Sequence, residues 1–583
     1  MRRLIIYPFL AILAFLVYSN TFFSPFVFDD GMYITGNAEI RELSNFWPPS
    51  GTRYLGYLSF ALNYRFGGLR VFGYHLINVI IHAINGLLVY GLVSSVFKTP
   101  WLEVAGLKDK GAIAFGAAFL SSAVFIAHPI ETQAVTYTTQ RFASLATLFY
   151  LLSIVLYLKW RSGEGGIRSL PIYALALVST ISAQMTKEIS FTLPFLIALY
   201  ELTFFSGPYR KRLLCLVPFL LTLLIIPLTV LSQEGGPGTV NFVSESIREK
   251  QLLELSTLSP YEYFSTEMRV IVTYLRLLIL PVDQNLDYGY PYFNSIFAPE
   301  AFASLLFLIL VLSASFYVFI RARRKDPFLA LIPLGIFWFF ITLSIESSVI
   351  PIRDVIFEHR LYLPSIGAIT AFSAAAIYSL DRIKKAFLLK PSLTALAIVL
   401  AAVVATPLGS AAYLRNEVWR DDILLWKDVI KKSPLRARPH SNLGDVYYRK
   451  GRIDEAIDEF ERAAAFNPDA TALLNLGNAY FSKGLFADAL AVYRASIEKK
   501  PASSDAHYNL ALTYENLGMD GAAIIEFETA VMYKRDRWDA HYKLGLAYRR
   551  QGRVSEAREE FETALAIKPD LTQAYEGIKS LDR

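Results

Sequence analysis

Long apolar runs alternate with short polar segments from the N-terminus to about residue 412, and beyond that point the chain is polar and charged. A membrane-spanning helix needs roughly 20 predominantly apolar residues. About eleven runs approach this length, namely 4–19, 73–97, 112–128, 141–159, 170–185, 190–206, 213–232, 301–320, 328–345, 363–380 and 392–412. The pattern predicts an all-α fold in which residues 1–412 form a polytopic membrane domain.

Segment 263–280 has a different pattern, because it is amphipathic and ends at Pro281. We expect it to lie along the interface or to re-enter the membrane without crossing it. In that case the basic residues between alternate spans all fall on one side, which the positive-inside trend identifies as cytoplasmic. They are Arg2, Arg3, Lys98, Lys108, Lys110, Lys159, Arg161, Arg168, Arg210, Lys211, Arg212, Arg321, Arg323, Arg324, Lys325, Arg382, Lys384 and Lys385.

This orientation places the N-terminus in the cytoplasm and the C-terminus on the noncytoplasmic side. The first apolar run has the charges of a signal peptide but is followed by TFFSPFVF, without a small-residue cleavage site. We therefore expect it to be an uncleaved signal-anchor.

A repeat of about 34 residues dominates the polar part, from residue 437 to residue 583. Leucines recur at 443, 476, 510 and 544, and tyrosines at 447, 480, 514 and 548. This is the tetratricopeptide period, and it predicts an α-solenoid of about four repeats with a capping helix at 571–582. Residues 413–436 are predicted to be an amphipathic linker, from the positions of Trp419, Leu424, Leu425, Trp426 and Val429.

A helical solenoid offers a concave surface that usually binds a peptide or a protein. The repeats could instead pack on the membrane domain or mediate self-association. Composition adds two exclusions. The net charge of +6 is spread over the loops, so nothing indicates nucleic acid. The only cysteine is Cys215, so no internal disulfide can form.

Ionisable residues mark the ends of the spans on the predicted noncytoplasmic side. A transporter would place such residues near the bilayer centre, whereas a cluster at one face favours a site at the outer membrane surface. The candidates are Asp29, Asp30, Arg53, Arg65, His128, Glu131, Arg141, Lys187, Glu188, Glu358, His359 and Arg360.

Asp29 and Asp30, within FVFDDGMYITGN at 26–37, have two readings. They could cap a short helix, or one of them could be a general base. The basic residues also have two readings. They could bind phosphate oxygens, which suit the guanidinium fork, or form ion pairs such as Lys187 near Glu188 and Arg360 with Glu358.

An ordered set of motifs extends over nearly the whole chain: FDD, YLGYLSFALNYRFGGLRVFGYHLINVIIHAINGLLVY, HPIETQAVTYTTQRFASLATLFYLLSIVLY, KEISFTLPFLIALYE, EHRLYLPSIG and RNEVWRDDILLWKDVIKKSPLRARPHSNLGDVYY. In this order the motifs resemble the TMTC group of membrane O-mannosyltransferases and their bacterial relatives, within the wider GT-C glycosyltransferases. The sequence departs from the group at Arg53, which precedes Tyr54 where relatives have an arginine-proline pair after it, and at Tyr137, where a tryptophan is usual.

The resemblance implies a GT-C-type membrane domain with a catalytic outer loop at 20–72 and a catalytic acid at Asp29 or Asp30. It also implies a bacterial inner-membrane enzyme that transfers a sugar from a polyprenyl-phosphate donor to an acceptor hydroxyl. The repeats favour a protein or peptide acceptor. Asp29 and Asp30 could also hold a divalent metal, Mg²⁺ or Mn²⁺, although no ligand spacing demands one. The alternative is a noncatalytic membrane scaffold that recruits envelope proteins through its repeats.

Overall fold

The computed structural model describes residues 2–49, 51, 53–104, 110–163, 169–232, 258–324, 326–352 and 354–582. Within these ranges the chain is helical and contains no strand, which confirms the predicted fold class. It divides into two compact units, Met1–Asp421 (unit 1) and Asp422–Arg583 (unit 2). The division falls inside the stretch predicted as a linker, 413–436. Of the basic residues used to orient the spans, Lys108, Arg168 and Lys325 lie outside the described ranges.

Unit 1 contains sixteen α-helices within its described residues, and short 3₁₀ turns precede several of them. The helices are α1 Arg2–Val17, α2 Tyr54–Gly67, α3 Val71–Val96, α4 Pro100–Val104, α5 Lys110–Ala127, α6 Thr132–Thr136, α7 Arg141–Ser162, α8 Leu170–Gln184, α9 Leu193–Phe204, α10 Tyr209–Leu221, α11 Ile225–Ser232, α12 Pro260–Ile279, α13 Pro299–Arg324, α14 Leu331–Leu343, α15 Tyr362–Ala386 and α16 Leu393–Glu417.

Seven helices in the described ranges are long and apolar enough to cross a membrane, so the chain is a membrane protein. They match the predicted spans at 73–97, 112–128, 141–159, 213–232, 301–320, 363–380 and 392–412. Three shorter apolar helices, Ile5–Val17, Leu170–Gln184 and Pro327–Leu343, match three more. The remaining predicted span, 190–206, is a 3₁₀ turn, Glu188–Thr192, followed by the twelve residues of α9. The total of about eleven spans is therefore not confirmed.

The core of unit 1 is formed by α3, α5, α7, α15 and α16. Helices α14 and α15 approach each other closely. A Cβ on Gly335 would lie 2.3 Å from the carbonyl oxygen of Gly367, and one on Gly367 would lie 2.4 Å from that of Gly335. Small residues permit such contact between apolar helices, where packing replaces the hydrophobic effect. This contact fixes the start of α15, and therefore the position of the Glu358–Leu361 turn before it.

Helix α12 corresponds to the segment predicted at 263–280. Ser259 and Glu262 form a capping box that begins the helix. Its polar composition excludes it from the helices that are apolar enough to span, and its failure to cross stays a prediction. The buried face consists of Tyr263, Glu267, Val270 and Tyr274, which recur with the helical period. That face includes a charged residue, which a purely structural helix would avoid.

Unit 2 begins with one helix and continues as stacked helix pairs, with a single helix at the end. The helices are α17 Asp422–Lys432, α18 Ala437–Arg449, α19 Ile453–Phe466, α20 Ala470–Lys483, α21 Phe486–Lys499, α22 Ser504–Asn516, α23 Asp520–Tyr533, α24 Trp538–Arg550, α25 Val554–Ile567 and α26 Thr572–Leu581. The predicted amphipathic helix is present as α17, and its buried Leu425, Trp426 and Val429 belong to unit 2, where it packs against α18. The predicted capping helix is α26.

A histidine and a glutamate join the two helices in three of the four repeats. The Nδ1 atoms of His440, His507 and His541 lie 2.6, 2.6 and 2.5 Å from Glu459, Glu526 and Glu560. Each Nε2 atom lies 2.9–3.2 Å from a backbone carbonyl oxygen six residues earlier. We refer to these as the His–Glu latches. The equivalent positions of the second repeat are Leu473 and Val492, so the latch is replaceable by apolar packing.

Candidate functional site

Asp30 lies in the loop after α1 and is fully buried. Its carboxylate accepts hydrogen bonds from the backbone N–H groups of Val27 (3.1 Å) and Thr139 (2.7 Å), and from the Thr139 hydroxyl. Burial raises the pKa of Asp30 to about 7, although these hydrogen bonds favour the charged form. The side chain does not cap the helical turn that follows it, Gly31–Thr35. Asp30 instead fastens the loop between α1 and α2 to the turn before α7.

Asp29 is in a more open environment and is only half-buried. Its backbone N–H donates to the Tyr137 hydroxyl oxygen at 2.9 Å, and the Tyr137 hydroxyl also interacts with the Asp29 side chain. Burial, Asp29 and Asp30 all raise the pKa of Tyr137, so its hydroxyl stays protonated. The preceding residue, Phe28, has a φ of +50°, which is uncommon for a large side chain. Such backbone strain is typical of functional sites.

The last residues of unit 1 also reach this place. The Trp419 indole is buried and stacks on the Tyr137 ring, with 5.7 Å between ring centroids. Asn416 joins the end of α16 to the end of α1, because its side chain donates to the Val17 carbonyl and accepts from the Thr136 hydroxyl. The chain therefore leaves unit 1 beside Tyr137 and Asp29.

Arg53 and Glu188 form a bidentate ion pair. The guanidinium nitrogens Nε and Nη2 lie 3.0–3.3 Å from the two carboxylate oxygens, and about a third of each side chain is exposed. Burial alone would raise the pKa of Glu188, but the Arg53 charge holds it below its ordinary value. Arg53 has a φ of +58°, and its charge also interacts with Tyr33 in the turn after Asp30. The pair thus connects the loop between α1 and α2 with the α8–α9 connection.

Lys187 forms a second ion pair, with Glu346, at 2.8 Å. Both side chains are largely buried. The backbone carbonyl of Glu346 accepts a hydrogen bond from Tyr263 on α12. The pair predicted for Lys187, with the neighbourhood of Glu188, is therefore replaced by one with a residue that the sequence analysis did not select.

His359 is the point on which the predicted cations converge. Lys187, Arg360 and Arg53 all lie within electrostatic range of its imidazole. Its Nδ1 atom lies 3.1 Å from Gln133 Oε1, and its backbone N–H donates to the same oxygen at 2.6 Å. A carbonyl oxygen can only accept, so Nδ1 carries the proton and Nε2 has a free lone pair.

Arg360 is buried, and its guanidinium donates to the carbonyl oxygens of Val355 (3.0 Å) and Asp354 (2.6 Å). Glu358 has other partners, because its carboxylate accepts from Gln284 (2.9 Å), the Asn285 N–H (2.6 Å) and the Tyr288 hydroxyl (2.6 Å). The ion pair considered for Arg360 and Glu358 is therefore not formed in the described structure. Glu358 instead anchors the loop that precedes α13.

Four other predicted residues lie apart from this group. Arg141 is fully buried and donates to Asn78 (2.7 Å), Asn63 (2.5 Å) and the Tyr74 carbonyl (2.8 Å). Arg65, near the end of α2, is exposed and forms no ion pair with the described residues. The two remaining residues, His128 and Glu131, lie at and after the end of α5.

His128 is buried and neutral, because Nε2 donates to the Leu278 carbonyl (3.0 Å) and Nδ1 accepts from the Ile130 N–H (3.2 Å). Glu131 is fully buried, and neither carboxylate oxygen has a hydrogen-bond partner among the described residues. Its neighbours are Tyr18, Tyr362 and Ser365. Burial raises the pKa of Glu131 well above its usual range, and the nearby Ser365 hydroxyl acts in the opposite direction.

The donor set does not fit the Mg²⁺ or Mn²⁺ ion that two carboxylates could hold. Asp30 uses its oxygens to accept three hydrogen bonds from the protein. No cluster of three His, Cys, Asp or Glu side chains suited to a metal occurs in the described part of the chain. We derive no step through a metal.

An apolar cavity of about 600 Å³ lies within unit 1, between helices α5, α12, α14, α15 and α16. His128 is the one polar side chain in its lining, and that side chain is hydrogen-bonded as described above. Representative lining residues are Val124, Leu278, Ile336, Phe372 and Leu408. A cavity of this size and character suits an apolar chain.

These features define the class: a helical membrane protein with polar groups collected at the ends of several helices, followed by a repeat solenoid. Family models described as "TPR repeat" match residues 444–484 and 477–518. Models described as "Tetratricopeptide repeat" match 504–537 and 538–571. The predicted repeats are confirmed. A solved structure, "Crystal structure of MamA", is 27% identical, covers 26% of this chain and 89% of its own, and has a TM-score of 0.25.

The resemblance to the TMTC group is confirmed by curated relatives. Protein O-mannosyl-transferase TMTC3 of Homo sapiens is 24% identical over 511 residues, which cover 79% of this chain and 52% of its own length. Protein O-mannosyl-transferase F38B6.6 of Caenorhabditis elegans is 23% identical over 486 residues, 78% of this chain and 62% of its own. Protein O-mannosyl-transferase Tmtc2 of Drosophila melanogaster is 31% identical over 229 residues, which cover 35% of this chain and 23% of its own length. The chain spans about half the length of the curated TMTC3 relatives that it matches.

Proposed function

We propose that this protein is a membrane glycosyltransferase that transfers a sugar from a polyprenyl-phosphate donor to an acceptor hydroxyl, on a protein, at the noncytoplasmic face. The observation that carries the proposal is similarity over 79% of the chain to proteins named protein O-mannosyl-transferases. Mannose is accordingly the first sugar to test. The half-buried Asp29, beside Tyr137, is the residue that we assign to the catalytic step.

Asp29 is the general base. A serine or threonine hydroxyl is a weak nucleophile until a neighbouring base accepts its proton. The proton passes to the Asp29 carboxylate as the hydroxyl oxygen bonds to the anomeric carbon. The bond from that carbon to the phosphate oxygen breaks, and polyprenyl phosphate leaves with the electron pair. Asp30 cannot serve as readily, because its oxygens are occupied by Val27 and Thr139. Tyr137 positions Asp29 through its hydroxyl.

The cations around His359 stabilise the leaving phosphate. The charges of Lys187, Arg53 and Arg360 all act on one imidazole, which supports a phosphate site there. Lys187 and Arg53 are also paired with Glu346 and Glu188, so the phosphate would share these cations with the two carboxylates. Arg53 is the most accessible of the three, and its bidentate pair with Glu188 keeps the guanidinium in a fixed geometry. We assign Arg141 a positioning role, because its donors hold α2, α3 and α7 together.

The apolar cavity supports a lipid-linked donor. Its walls come from helices α5, α12, α14, α15 and α16, three of which are long and apolar enough to span a membrane or belong to a longer span that is. An isoprenoid chain entering from the bilayer would leave its phosphate at the helix ends. His128 at the cavity and Gln133 beside His359 belong to the same short stretch between α5 and α7.

Trp419, which stacks on Tyr137, is three residues before the start of unit 2 at Asp422, and the repeats begin at Ala437. The basic residues between alternate spans favour a noncytoplasmic position for this end of unit 1. We propose that the solenoid binds the protein acceptor, since a stacked helical array provides an extended binding surface.

A transfer assay tests the activity. The full chain in lipid nanodiscs is incubated with radiolabelled polyprenyl-phosphate mannose and an unfolded protein rich in serine and threonine. We expect label on the acceptor, removed by β-elimination. Asp29→Asn should lower the rate by about 10²- to 10⁴-fold. The matched control is Glu42→Gln, the same chemical change on an exposed residue of the same loop. A wild-type protein that transfers nothing from this donor would leave the scaffold alternative.

A fusion reporter tests the orientation. A reporter placed after Arg583 should be active on the noncytoplasmic side. A cytoplasmic signal would mean that α12 crosses the membrane, and it would separate the repeats from the proposed site.

A further inference from the structure

Glu267 is a buried carboxylate that the proposed reaction does not use. It lies on the buried face of α12 and is fully inaccessible, yet neither of its oxygens has a hydrogen-bond partner in the described structure. The Oγ atom of Ser347, which is also buried, has none either. Leaving a buried polar group without a partner costs about 1–3 kcal/mol, and more for a charged group. Such groups in a native structure indicate water, an ion or a ligand that is not part of the chain.

The surroundings of Glu267 connect it to the proposed donor site. Ser347 and Tyr263 lie near its carboxyl group and favour its charged form, but neither reaches hydrogen-bonding geometry, and the Tyr263 hydroxyl donates its proton to the Glu346 carbonyl at 2.8 Å. The charges of Arg360 and Glu346 also act on the Glu267 carboxyl group. Glu346 pairs with Lys187, and Arg360 lies within range of His359. Glu131, the other buried carboxylate without a partner, has only Tyr18, Tyr362 and Ser365 as polar neighbours. Only Glu267 therefore combines free acceptor atoms with nearby cations.

The chemistry of these groups limits the kinds of ligand that could bind beside Glu267. A phosphate in contact with Glu267 would be repelled by that carboxylate, which, unlike Glu346, has no ion-pair partner in the described structure. An apolar chain would leave both Glu267 oxygens unsatisfied. A metal would need a third suited ligand, and no such cluster occurs among the described residues. A sugar ring satisfies all the groups, because neighbouring hydroxyls can donate to a carboxylate and accept from a guanidinium or a serine hydroxyl.

We propose that Glu267, Ser347 and Arg360 form a subsite that binds hydroxyl groups of the donor sugar and selects the sugar-bearing lipid over the bare lipid phosphate. This inference rests on the proposed function. Glu267 accepts from two hydroxyls, Ser347 donates or accepts, and Arg360 supplies a donor. The phosphate-binding cations and the sugar subsite are then parts of one polar layer between α12 and the Glu358–Leu361 turn.

Binding of two lipids tests this subsite. The full chain in nanodiscs is titrated with polyprenyl-phosphate mannose and with polyprenyl phosphate of the same length. We expect the wild type to bind the sugar-bearing lipid about tenfold or more tightly. Glu267→Gln should abolish this preference and leave the Kd for polyprenyl phosphate within about twofold. Ser347→Ala removes one neutral partner, so it should reduce the preference only a few-fold.

The matched control is Glu262→Gln. It makes the same chemical change on the same helix, and glutamine at this position preserves the capping box. It should keep the full preference, and thermal unfolding of each variant checks that unit 1 is folded.

Each remaining outcome decides the matter. If Glu267→Gln keeps the preference, or weakens both lipids equally while folded, the sugar subsite is wrong. If the wild type binds both lipids equally, the subsite is wrong although the lipid-phosphate donor stands. If the wild type binds neither lipid, the proposed function fails with it.

Discussion

Both units bury ionisable side chains, but the two units differ in how many of the buried polar atoms have hydrogen-bond partners. In unit 2 the His–Glu latches use both ring nitrogens of each histidine. In unit 1 Glu267, Ser347 and the Gln133 side-chain nitrogen are buried without partners in the described structure. Complete pairing is expected where a buried polar group serves the fold alone. Unit 2 also has one such atom, Asn442 Nδ2, but in unit 1 the unpartnered groups include a carboxylate, and this difference supports the proposed ligand site.

The neighbouring residues Asp29 and Asp30 differ in a similar way. Asp30 is buried, with three hydrogen bonds to its carboxylate, whereas Asp29 is half-buried beside Tyr137. Identical side chains at adjacent positions thus lie in different environments, directly after the left-handed backbone of Phe28.

The largest expected effect concerns Arg141, whose pairing is as complete as that of unit 2. Arg141→Gln should lower the free energy of unfolding of unit 1 by about 3 kcal/mol or more, because Asn78, Asn63 and the Tyr74 carbonyl lose a buried donor. Arg65→Gln, on an exposed position, is the control and should have no effect. The measurement is chemical unfolding in detergent. Equal stability of the two variants would show that Arg141 does not hold α2, α3 and α7 together.

Variants of the Lys187–Glu346 ion pair separate its contribution to stability from its proposed contribution to phosphate binding. Lys187→Ala leaves a largely buried glutamate without its partner and should cost about 3 kcal/mol. The double variant Lys187→Met with Glu346→Gln should recover most of this stability, since a neutral pair avoids the desolvation of both charges. It should still bind polyprenyl phosphate more weakly than the wild type. Unchanged phosphate binding would remove Lys187 from the donor site.

The smallest effect concerns the His–Glu latches. The neighbouring glutamate and backbone carbonyl outweigh burial and raise the pKa values of His507 and His541. Because the folded pKa is higher than the unfolded one, the extra stability is present below the unfolded pKa, about 6.5, and is lost as the pH rises through the folded pKa. The hydrogen-exchange protection factors of unit 2 in the full chain, which are corrected for the intrinsic pH dependence of amide exchange, should therefore rise at lower pH.

The second repeat provides the control for this pH dependence. His507→Leu with Glu526→Val copies Leu473 and Val492 and should keep the repeat folded while it reduces the pH dependence. An unchanged pH dependence would show that the latches do not cause it.

The helices were predictable from the sequence where a long apolar segment or a regular repeat marked them. The repeats and the seven longest spans follow directly from the spacing of apolar residues. The span at 190–206 was harder, because a 3₁₀ turn occupies its first residues. Helix α12 was recognised as amphipathic, but its charged residues did not reveal which of them faces inward.

The candidate site was predictable as a set of residues and not as a set of contacts. The basic residues between alternate spans indicated which loops would carry the site. The ion-pair partners within the site lie far apart in the sequence, as in Arg53 with Glu188 and Lys187 with Glu346. Glu267 and Glu346 were missed because a lone acid at a helix face or end carries no local signal. Tyr137 was noted only as a departure from relatives, and its contact with Asp29 depends on tertiary packing.

The most direct test compares Asp29→Asn with Asp30→Asn in two measurements, mannose transfer per folded molecule and thermal unfolding. Asp29→Asn should unfold like the wild type and lose transfer by about 10²- to 10⁴-fold. Asp30→Asn should be less stable by about 1–3 kcal/mol, because an amide nitrogen faces the donors of Val27 and Thr139, and its folded fraction should retain more transfer than Asp29→Asn. Full transfer by Asp29→Asn would contradict the account.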